Sequence, residues 1–460
     1  MINYFNFRKF DDDYLITNDA GCYAFVDKDT LGMLIKNELP ENHHKYDELK
    51  DRLFVFNEHK DVFAKNAVGS ILANKSYLTS STSLFIFIVT KRCNMNCIYC
   101  QANAGGCDKS ADMTMETAKR GVDIAMSSPS QYITIEFQGG EPLLNFEVVK
   151  YIVEYSQSIK GDKNIEYCIA TNLSALTEEI LDFFAEFNVS ISTSFDGNRD
   201  VHTYNRQCSA DEFDRLKMKV KQVQSVGHTV SAIQTTTRYS LNKPKEIIDE
   251  YVETGFNSIF IRPLTKLGMA IDEWSEIGYT ADEFLEFYRE CLSYIIELNK
   301  RGIAMQETHA SILLKKILKG YSDNYMELRS PCGAGVGQIA IYHNGEVYTC
   351  DEGRMLAEMG NKAFMLGNVY DNTYDELMES PVCKAACAAS VLEAQLSCCD
   401  CVYQPYCGVC PVVNLASGSD IVSKTPRQFR CEVYGGILDT LFQILKSDDE
   451  KAIEILYKWA

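Results

Sequence analysis

The sequence predicts an α/β protein whose central domain is an open, partial (β/α)6 barrel. The first observation is that apolar, β-rich stretches alternate with segments of helical spacing from residue 84 onward. The second is that this alternation contains six strand-like stretches, too few to close an eight-stranded barrel. Strands that alternate with helices pair in parallel through right-handed crossovers, and the chemistry of such folds lies at the C-terminal ends of the strands.

Each element of the barrel can be placed from this alternation. The predicted strands begin near Leu84, Tyr132, Ile165, Val189, Thr229 and Ser258. The predicted helices follow the first five strands, over residues 115–126, 146–159, 178–187, 212–226 and 245–254. The stretches S-A-D-E at 209–212 and T-A-D-E at 280–283 indicate capping boxes, because a Ser or Thr followed three residues later by Glu can satisfy the first backbone N–H groups of a helix. Both stretches therefore mark helix starts.

The regions on either side of the barrel domain (81–270) differ from it in character. Residues 1–80 predict a small α+β module with a hairpin over 14–27 and a helix near 30–37, which either binds a leader peptide by strand addition or caps the barrel. Residues 271–330 predict a helical linker. Residues 331–435 are rich in Gly, Pro and Cys, so metal ligands could replace an apolar core there, and residues 436–460 predict a terminal helix.

Composition excludes several functional classes. A formal net charge of −19 argues against a nucleic-acid partner, since phosphate binding needs clustered Lys and Arg. No apolar run approaches the roughly 20 residues of a membrane span, and the N-terminus lacks the layout of a signal peptide. We therefore expect a cytoplasmic protein with reduced thiols and no membrane contact. Most of its 18 cysteines should then be metal ligands, and the remainder small buried apolar residues.

Three cysteines follow the first barrel strand in the pattern C-x3-C-x2-C. They are Cys93, Cys97 and Cys100. A zinc ribbon would use two cysteine pairs, whereas a [4Fe–4S] cluster has four irons that normally each take one thiolate. Three thiolates leave one iron open for a chelating ligand with an amine and a carboxylate. The alternatives are incidental cysteines or a partial zinc site.

This spacing, with the aromatic Tyr99 before the last cysteine, resembles the radical S-adenosylmethionine superfamily, and the resemblance extends over residues 84–265. It implies that the open iron binds the amino and carboxylate groups of S-adenosylmethionine. It also implies that one electron from the reduced cluster splits the sulfonium, and that the resulting 5′-deoxyadenosyl radical abstracts a substrate hydrogen. A low-potential donor, flavodoxin or ferredoxin, would supply the electron.

Polar residues follow the second, third and fourth strands. Gly139 and Gly140 would let the backbone approach a ligand closely, and Glu141 could receive the methionyl ammonium. Asn172 and Asp196 carry groups suited to ribose hydroxyls. Ordinary turn chemistry explains Asn, Asp and Gly at these places equally well.

Two further residues receive roles from resemblance. The stretch SFDGNRDVHTYNR at 194–206 is similar to a motif of the peptide-modifying branch, which implies that Ser194 contacts the ribose and Arg206 the carboxylate. Leu264, in the I-R-P-L stretch after the sixth strand, would pack near the adenine or belong to the core.

The C-terminal cysteines form a second group of signals. The run C-x2-C-x5-C with a later Cys supplies four thiolates from a compact segment, and a zinc site is the alternative to iron and sulfur. The arrangement resembles the SPASM extension of peptide-modifying radical enzymes, which holds two auxiliary [4Fe–4S] clusters. That resemblance implies an outer set of Cys398, Cys401, Cys407 and Cys431, and an inner set of Cys332, Cys350 and Cys410 with Cys387 as fourth ligand or an open iron. Cys383 and Cys399 could substitute.

The remaining features of this region leave choices open. The pair Cys407 and Cys410 is spaced C-x2-C, whereas the family usually spaces it C-x3-C. Asp351 follows Cys350 directly, and an Asp at that place is the substrate's base in related sulfatase-maturing enzymes. Here it is either such a base or a loop carboxylate. The other cysteines, expected to be core or surface thiols, are Cys22, Cys107, Cys168, Cys208 and Cys291.

Further stretches, among them TIEFQGGEPLLNFE, GFNSIFIRPL and DEGRMLAEMG, resemble the B-type radical maturase of the His-Xaa-Ser system. This resemblance implies modification of a ribosomally made precursor peptide that carries His-Xaa-Ser repeats, and a paired second radical maturase. We expect the modification to be a cross-link, with epimerisation as the alternative chemistry. An anaerobic sulfatase-maturing enzyme that forms formylglycine is the alternative activity. A zinc-stabilised binding scaffold without catalysis is the alternative of another class.

Overall fold

The computed structural model describes residues 1–57, 60–106, 108–320, 325–418, 420–422 and 428–460. The strands are β1 Asn6–Phe10, β2 Asp13–Thr17, β3 Tyr23–Val26, β4 Leu84–Thr90, β5 Tyr132–Gly139, β6 Asn164–Thr171, β7 Ser190–Ser194, β8 Val230–Thr235, β9 Ser258–Arg262, β10 Gln306–Glu307, β11 Gln338–Ile341, β12 Glu346–Tyr348 and β13 Met365–Asn368. The helices before the linker are α1 Lys28–Lys36, α2 Tyr46–Asp51, α3 Lys60–Asn74, α4 Met115–Ser127, α5 Phe146–Ile159, α6 Glu178–Glu186, α7 Arg199–Arg206, α8 Ala210–Ser225 and α9 Pro244–Thr254. Those after it are α10 Met269–Asp272, α11 Trp274–Ile277, α12 Ala281–Lys300, α13 Thr308–Leu314, α14 Asp351–Glu358, α15 Tyr374–Glu379, α16 Pro381–Ala388, α17 Pro411–Gly418, α18 Phe429–Lys446 and α19 Glu450–Trp459.

The predicted six-stranded barrel is confirmed. Strands β4 to β9 are neighbours in chain order, and all their pairings are parallel. Each begins within one residue of its predicted start. One face of each strand is apolar and packs under the helices, as Phe85, Ile135 and Tyr167 do in adjacent strands. The opposite face lines the barrel interior and carries the polar residues described below.

The sheet continues beyond the predicted barrel on both edges. β10 pairs in parallel with β9. On the other edge β11 pairs in parallel with β4, and β12 and β13 follow it in antiparallel order. Strands β11 to β13 were not predicted from the sequence. These strands have only three or four residues each, which is too short for a periodic pattern.

Helix starts agree with the capping signals. The Ser209 side chain accepts a hydrogen bond from the backbone N–H of Glu212, and the Glu212 carboxylate accepts one from the backbone N–H of Ser209. Thr280 and Glu283 form the same reciprocal pair at the start of α12. Both predicted capping boxes are thus confirmed.

The N-terminal module is a three-stranded antiparallel sheet with helices. The predicted hairpin is confirmed as β2 and β3, and β1 adds a strand that was not predicted. The module contacts the C-terminal cysteine segment, because Thr17 Oγ1 donates to the carbonyl of Val402 at 2.7 Å and Asn6 Nδ2 to that of Cys401 at 3.2 Å. It therefore covers one of the cysteine sets.

The chain ends in two helices rather than the single helix predicted from residue 436. α18 begins at Phe429, and Gly436 lies inside it. A Cβ at Gly436 would lie 2.2 Å from Leu285 of α12, so the glycine permits close helix packing rather than marking a helix start. None of the helices in the described ranges has the length and apolar character needed to cross a membrane.

Candidate functional site

A cavity of about 450 Å³ lies at the C-terminal ends of strands β4 to β9. The sequence-predicted residues that line it are Cys93, Cys97, Tyr99, Cys100, Gly139, Gly140, Asn172, Ser194, Arg206 and Asp351. We call it the main cavity. Side chains from six different segments of the chain therefore converge where the parallel strands end, as the fold class predicts.

The loop that carries Cys93, Cys97 and Cys100 is held from two sides. The backbone N–H of Ile98 donates to the carbonyl of Asn205 at 2.9 Å, which fixes the loop to the end of α7. At its start, the Arg92 guanidinium donates to both carboxylate oxygens of Asp112 at 2.7 Å. Burial raises the pKa of Cys97 to about 12 and also raises that of Cys93, so both thiols carry protons in the absence of a metal.

Gly139 and Gly140 lie in close contact with the chain segment that enters the cysteine loop. A Cβ at Gly139 would lie 2.1 Å from the carbonyl oxygen of Thr90, and one at Gly140 would lie 2.2 Å from that of Arg92. The backbone N–H of Gly140 donates to the Thr90 carbonyl at 2.9 Å. Both glycines line the cavity, as predicted, but they are required because the chain crosses its own cysteine loop there.

Glu141 does not line the main cavity. It is fully buried, and its carboxylate accepts hydrogen bonds from Thr171 Oγ1 at 2.7 Å and from the backbone N–H groups of Asn172 at 2.7 Å and Leu143 at 3.0 Å. Burial raises its pKa, and these three donors act in the opposite direction. The carboxylate therefore joins the ends of β5 and β6, and its contact with a methionyl ammonium stays a prediction.

Asp196 is not among the residues that line the main cavity, and its expected contact with a ribose stays a prediction. It is fully buried and accepts hydrogen bonds from Arg206 Nε and Nη2, both at 3.1 Å, and from Tyr99 Oη at 2.6 Å. Arg206 in turn places Nη1 3.9 Å from Cys97 Sγ. Burial opposes the charge of Arg206, but Asp196, Tyr99 and Cys97 together outweigh it and raise the pKa of the guanidinium. Asp196 therefore positions the cation that lines the cavity.

Two other predicted residues have distinct placements. The Asn172 side-chain amide donates to Asn94 Oδ1 at 3.0 Å, which ties the end of β6 to the cysteine loop. Leu264 is buried in the apolar core and lines a second cavity instead of the main one. Its neighbour Pro263 lines the main cavity. Of the two expected placements of Leu264, the structure therefore shows the core, and its contact with an adenine stays a prediction.

Several polar residues of the main cavity were not predicted. Glu136 and Gln138 lie on the interior face of β5, where Gln138 Nε2 donates to Glu136 Oε1 at 2.5 Å. Burial raises the pKa of Glu136. Arg262 and Arg354 contribute guanidinium groups to the wall. The signal for Glu136 and Gln138 was present, because polar side chains alternate with buried Ile133, Ile135 and Phe137 along β5.

Asp351 reaches the main cavity from the C-terminal region. It is the first residue of α14, and its carboxylate accepts hydrogen bonds from the buried guanidinium of Arg354, including one from Nε at 3.1 Å. The strand pairing of β11 with β4 brings this region to the barrel. The geometry thus favours the role of Asp351 as a cavity residue over that of a remote loop carboxylate.

The predicted outer set of thiols converges on one place. Cys398, Cys401, Cys407 and Cys431 line a small cavity of about 60 Å³, together with Cys410. Cys431 comes from the first turn of α18, whereas the others come from the preceding loops. Burial raises the pKa of Cys407 to about 12.

Three thiols of the predicted inner set also lie together. Cys332, Cys350 and Cys410 belong to one buried cluster, and burial raises the pKa of Cys332 to about 11 and that of Cys410 to about 12. Cys387 is hydrogen-bonded to Cys383, one turn earlier on α16, and this bond raises the pKa of Cys383 and lowers that of Cys387. The fourth position of the inner set stays a prediction.

These thiols fit iron–sulfur clusters by their chemistry. Each set gathers three or four sulfur donors, and each iron of a [4Fe–4S] cluster takes one thiolate, which spreads the ligands around a cube. Within the described ranges, no group of three or more His, Cys, Asp or Glu residues forms a site for a single metal ion.

The remaining cysteines have mixed placements. Cys291 is buried in the core, as expected, and Cys22 and Cys208 are half-buried. Cys168 lines the main cavity from β6, and burial together with Glu136 and Glu166 raises its pKa. Cys107 lies outside the described residues.

Comparison with known families agrees with this geometry. The profile of the Radical SAM superfamily matches residues 87–243, which include the three-cysteine loop and the strands up to β8. Among similar proteins, an uncharacterized protein of Methanocaldococcus jannaschii is 28% identical over 280 residues, which are 60% of this chain and 87% of that protein.

Two characterised relatives are more distant. A cysteine-type anaerobic sulfatase-maturating enzyme of Clostridium perfringens is 22% identical over 65% of this chain and 80% of the enzyme. The radical SAM cyclopropyl synthase TigE of Paramaledivibacter caminithermalis is 23% identical over 57% of this chain and 56% of that protein.

Solved structures share the fold. Native anSMEcpe with bound AdoMet and the Kp18Cys peptide aligns with a TM-score of 0.67 at 18% identity, over 82% of this chain and 99% of that chain. Streptococcus suis SuiB bound to the precursor peptide SuiA aligns with a TM-score of 0.54 at 14% identity, over 94% and 98% of the two chains.

Proposed function

Because residues 87–243 match the profile of the Radical SAM superfamily, we propose that the chain modifies a ribosomally made precursor peptide with a 5′-deoxyadenosyl radical. We further propose that the modification is a cross-link within the peptide. The relatives named above support a peptide or protein substrate, since one is a sulfatase-maturating enzyme and two solved structures contain bound peptides.

The observation that carries this proposal is the composition of the main cavity. Three thiols in one loop, a fixed guanidinium and the Asp351 carboxylate face a single space of about 450 Å³. That volume lies within the range of about 300–1,000 Å³ that is typical of small-molecule binding sites. The carboxylate arrives from the C-terminal region, so both halves of the molecule complete the cavity.

The chain's own residues have separable tasks in this proposal. Cys93, Cys97 and Cys100 would hold a [4Fe–4S] cluster, which together with S-adenosylmethionine supplies the 5′-deoxyadenosyl radical. Arg206, held by Asp196, presents a cation suited to the carboxylate of S-adenosylmethionine. Asn172, Ser194 and Asp351 line the same cavity. In this proposal Asn172 and Ser194 would bind ribose hydroxyls, and Asp351 would take a proton from the substrate.

The C-terminal thiols would hold two auxiliary [4Fe–4S] clusters, as the convergence of each set supports. These clusters would relay electrons between the substrate and the surface. The fourth ligand of the inner cluster is proposed to be Cys387. Flavodoxin or ferredoxin is the proposed donor, and the number of thiols suits the reducing cytoplasm.

The finer assignment follows the sequence resemblance to the His-Xaa-Ser system. We propose a precursor with His-Xaa-Ser repeats, a second radical maturase as partner, and the N-terminal module as a leader-binding element. In the N-terminal module β1 is an edge strand, with Phe7 and Arg8 exposed, so a leader could extend this sheet.

The first test measures cleavage of S-adenosylmethionine. Protein purified and reconstituted without oxygen should release 5′-deoxyadenosine when given S-adenosylmethionine and dithionite. The Cys93→Ala/Cys97→Ala/Cys100→Ala variant should release none above the level without protein. Absence of 5′-deoxyadenosine from the reconstituted wild-type protein would overturn the proposed function.

The second test identifies the product. The chain should be co-expressed without oxygen with the small open reading frame beside its gene. The mass of the peptide that this reading frame encodes should then be measured by mass spectrometry. A loss of two hydrogens supports the cross-link. The second candidate, a sulfatase-maturing activity, is favoured by the position of Asp351 and would produce an aldehyde at a Cys or Ser.

A further inference from the structure

A second cavity of about 360 Å³ adjoins the main cavity. It lies between the segment that follows β9, the first turn of α13 and the start of α18. Arg262 and Pro263 line both cavities, so they form a shared wall. A group bound in the second cavity would therefore lie next to a substrate in the main cavity.

A buried histidine faces this second cavity. His309 is 1% exposed and lies between the rings of Phe260 and Tyr434, with centroid distances of 5.5 and 5.0 Å. Within the described residues, neither ring nitrogen of His309 has a hydrogen-bond partner, and the same holds for Nε of Arg430, which also lines the cavity. Buried polar groups normally have partners, so three unpaired atoms around one cavity indicate that a polar group binds there.

The charge of the side chains that line the second cavity indicates which kind of ligand group would bind there. Three cationic side chains line it, namely Arg262, Lys266 and Arg430. Among the described residues that line it, Glu327 is the one carboxylate, and it is shared between Arg262 at 2.8 Å and Arg430 at 3.1 Å. Two positive charges are therefore in excess, in a chain whose formal net charge is −19.

We propose that the second cavity binds a carboxylate of the substrate peptide, adjacent to the residue that is modified in the main cavity. This inference rests on the proposed function. A carboxylate accepts hydrogen bonds from a guanidinium and an imidazole N–H, which are the donors without partners in this cavity. The carboxylate is either an acidic side chain or the free C-terminus of the peptide.

The experiment uses the holoenzyme, reconstituted without oxygen, and ligand-observed saturation-transfer NMR. The probes are N-acetyl-aspartate N-methylamide for an acidic side chain, N-acetyl-alanine for a free C-terminus, and N-acetyl-asparagine N-methylamide as the neutral match. At least one carboxylate probe should bind tenfold or more tightly than the asparagine probe. The better of the two identifies the source of the carboxylate.

Two pairs of variants assign the binding to this cavity. His309→Phe keeps the aromatic packing but removes both ring nitrogens, and it should weaken carboxylate binding fivefold or more, whereas His309→Gln should retain most of it. Lys266→Met should weaken binding at least threefold. The exposed Lys221→Met on α8 is the matched control and should leave the affinity unchanged.

The results separate this proposal from the function on which it rests. The proposal would be overturned if neither carboxylate probe binds more tightly than the asparagine probe, or if carboxylate binding is unaffected by both His309→Phe and Lys266→Met. Wild-type protein that releases 5′-deoxyadenosine but shows either result retains the proposed function and loses only this site. Failure to release 5′-deoxyadenosine concerns the proposed function instead.

Discussion

At the scale of single residues, one buried ion pair determines where Arg206, one of the cations of the main cavity, lies. Arg206 and Asp196 have side-chain exposures of 7% and 0%. A buried guanidinium needs its partner, because a charge left without one in a low-dielectric interior is strongly unfavourable. Asp196 satisfies two of the guanidinium donors and leaves Nη1 directed at Cys97. Tyr99 adds a hydrogen bond to the same carboxylate and so makes the arrangement more rigid.

We therefore expect Asp196→Asn to destabilise the protein by about 3–5 kcal/mol, the usual effect of leaving a buried charge without its partner. It should also weaken S-adenosylmethionine binding, because Arg206 loses its fixed orientation. The free energy of unfolding and the affinity for S-adenosylmethionine would be measured on the same preparations. The matched control is Asp214→Asn, which removes an exposed partner of Arg199 and should change stability by less than about 1 kcal/mol. Equal effects of the two substitutions would contradict this interpretation.

Glu307 gives a pH dependence with a definite sign. The residue is fully buried, and burial raises the pKa of its carboxyl to about 7, although Tyr288 and three backbone N–H groups donate to it. Between the unfolded pKa near 4.5 and about 7, the folded protein holds a proton that the unfolded chain releases. The free energy of unfolding contributed by Glu307 therefore falls as pH rises through this window, by at most about 3 kcal/mol.

The comparison of wild-type protein with Glu307→Gln isolates this contribution. The variant is expected to be less stable at every pH, since an amide cannot accept all four hydrogen bonds. The difference in free energy of unfolding between wild type and variant should therefore become smaller as the pH rises from 4.5 to 7.5. Glu283→Gln is the control, because hydrogen bonds from Thr280 lower the pKa of that exposed carboxyl and place its titration below this window. A wild-type minus Glu307→Gln difference that is flat from pH 4.5 to 7.5 would contradict the assignment.

At the scale of elements, the sequence predicts the barrel well because each of its signals is local. The start of α8 depends on four consecutive residues, and the faces of β5 depend on alternation within eight. The strands β11 to β13 were missed because they are short and are stabilised by pairing with β4, more than 200 residues away in the sequence. The orientations of Glu141 and Asp196 were missed for a related reason. Their partners come from other strands and helices, and a pattern along one strand does not contain them.

The turn after β5 provides a test at this scale. Gly140→Ala would place a Cβ 2.2 Å from the Arg92 carbonyl oxygen. The nearest atoms are backbone atoms of Lys91 and Arg92, which cannot move aside as a flexible side chain could. We expect the cysteine loop to shift and the yield of 5′-deoxyadenosine to fall at least tenfold. Gly32→Ala is the matched control. Gly32 lies within α1 and has no atom within 4 Å of the added Cβ, so this change should stabilise the chain by up to about 1 kcal/mol. A Gly140→Ala protein with wild-type cleavage would contradict the steric argument.

At the scale of the whole molecule, the C-terminal region and the barrel share one sheet. β11 pairs with β4, the strand that leads into the three-cysteine loop, and α14 after β12 delivers Asp351 to the main cavity. The N-terminal module contacts the outer cysteine segment through Thr17 and Asn6. The three sets of thiols are therefore mounted on one connected framework, although each set is built from its own loops.

This arrangement predicts that removing the ligands of one cluster lowers the iron content of the chain by the irons of that cluster alone. Wild-type protein reconstituted without oxygen should contain about twelve irons per chain, four for each of three [4Fe–4S] clusters. The Cys93→Ala/Cys97→Ala/Cys100→Ala variant should contain about eight, and so should Cys401→Ala/Cys407→Ala, because each removes the ligands of a single cluster. Cys22→Ser removes a half-buried thiol of the N-terminal module and should leave the iron content unchanged. Electron paramagnetic resonance of the reduced proteins should lose a different signal in each cysteine variant. A wild-type chain with about four irons would show that the C-terminal thiols hold no clusters. Loss of all iron in either variant would show that the three sites do not assemble independently.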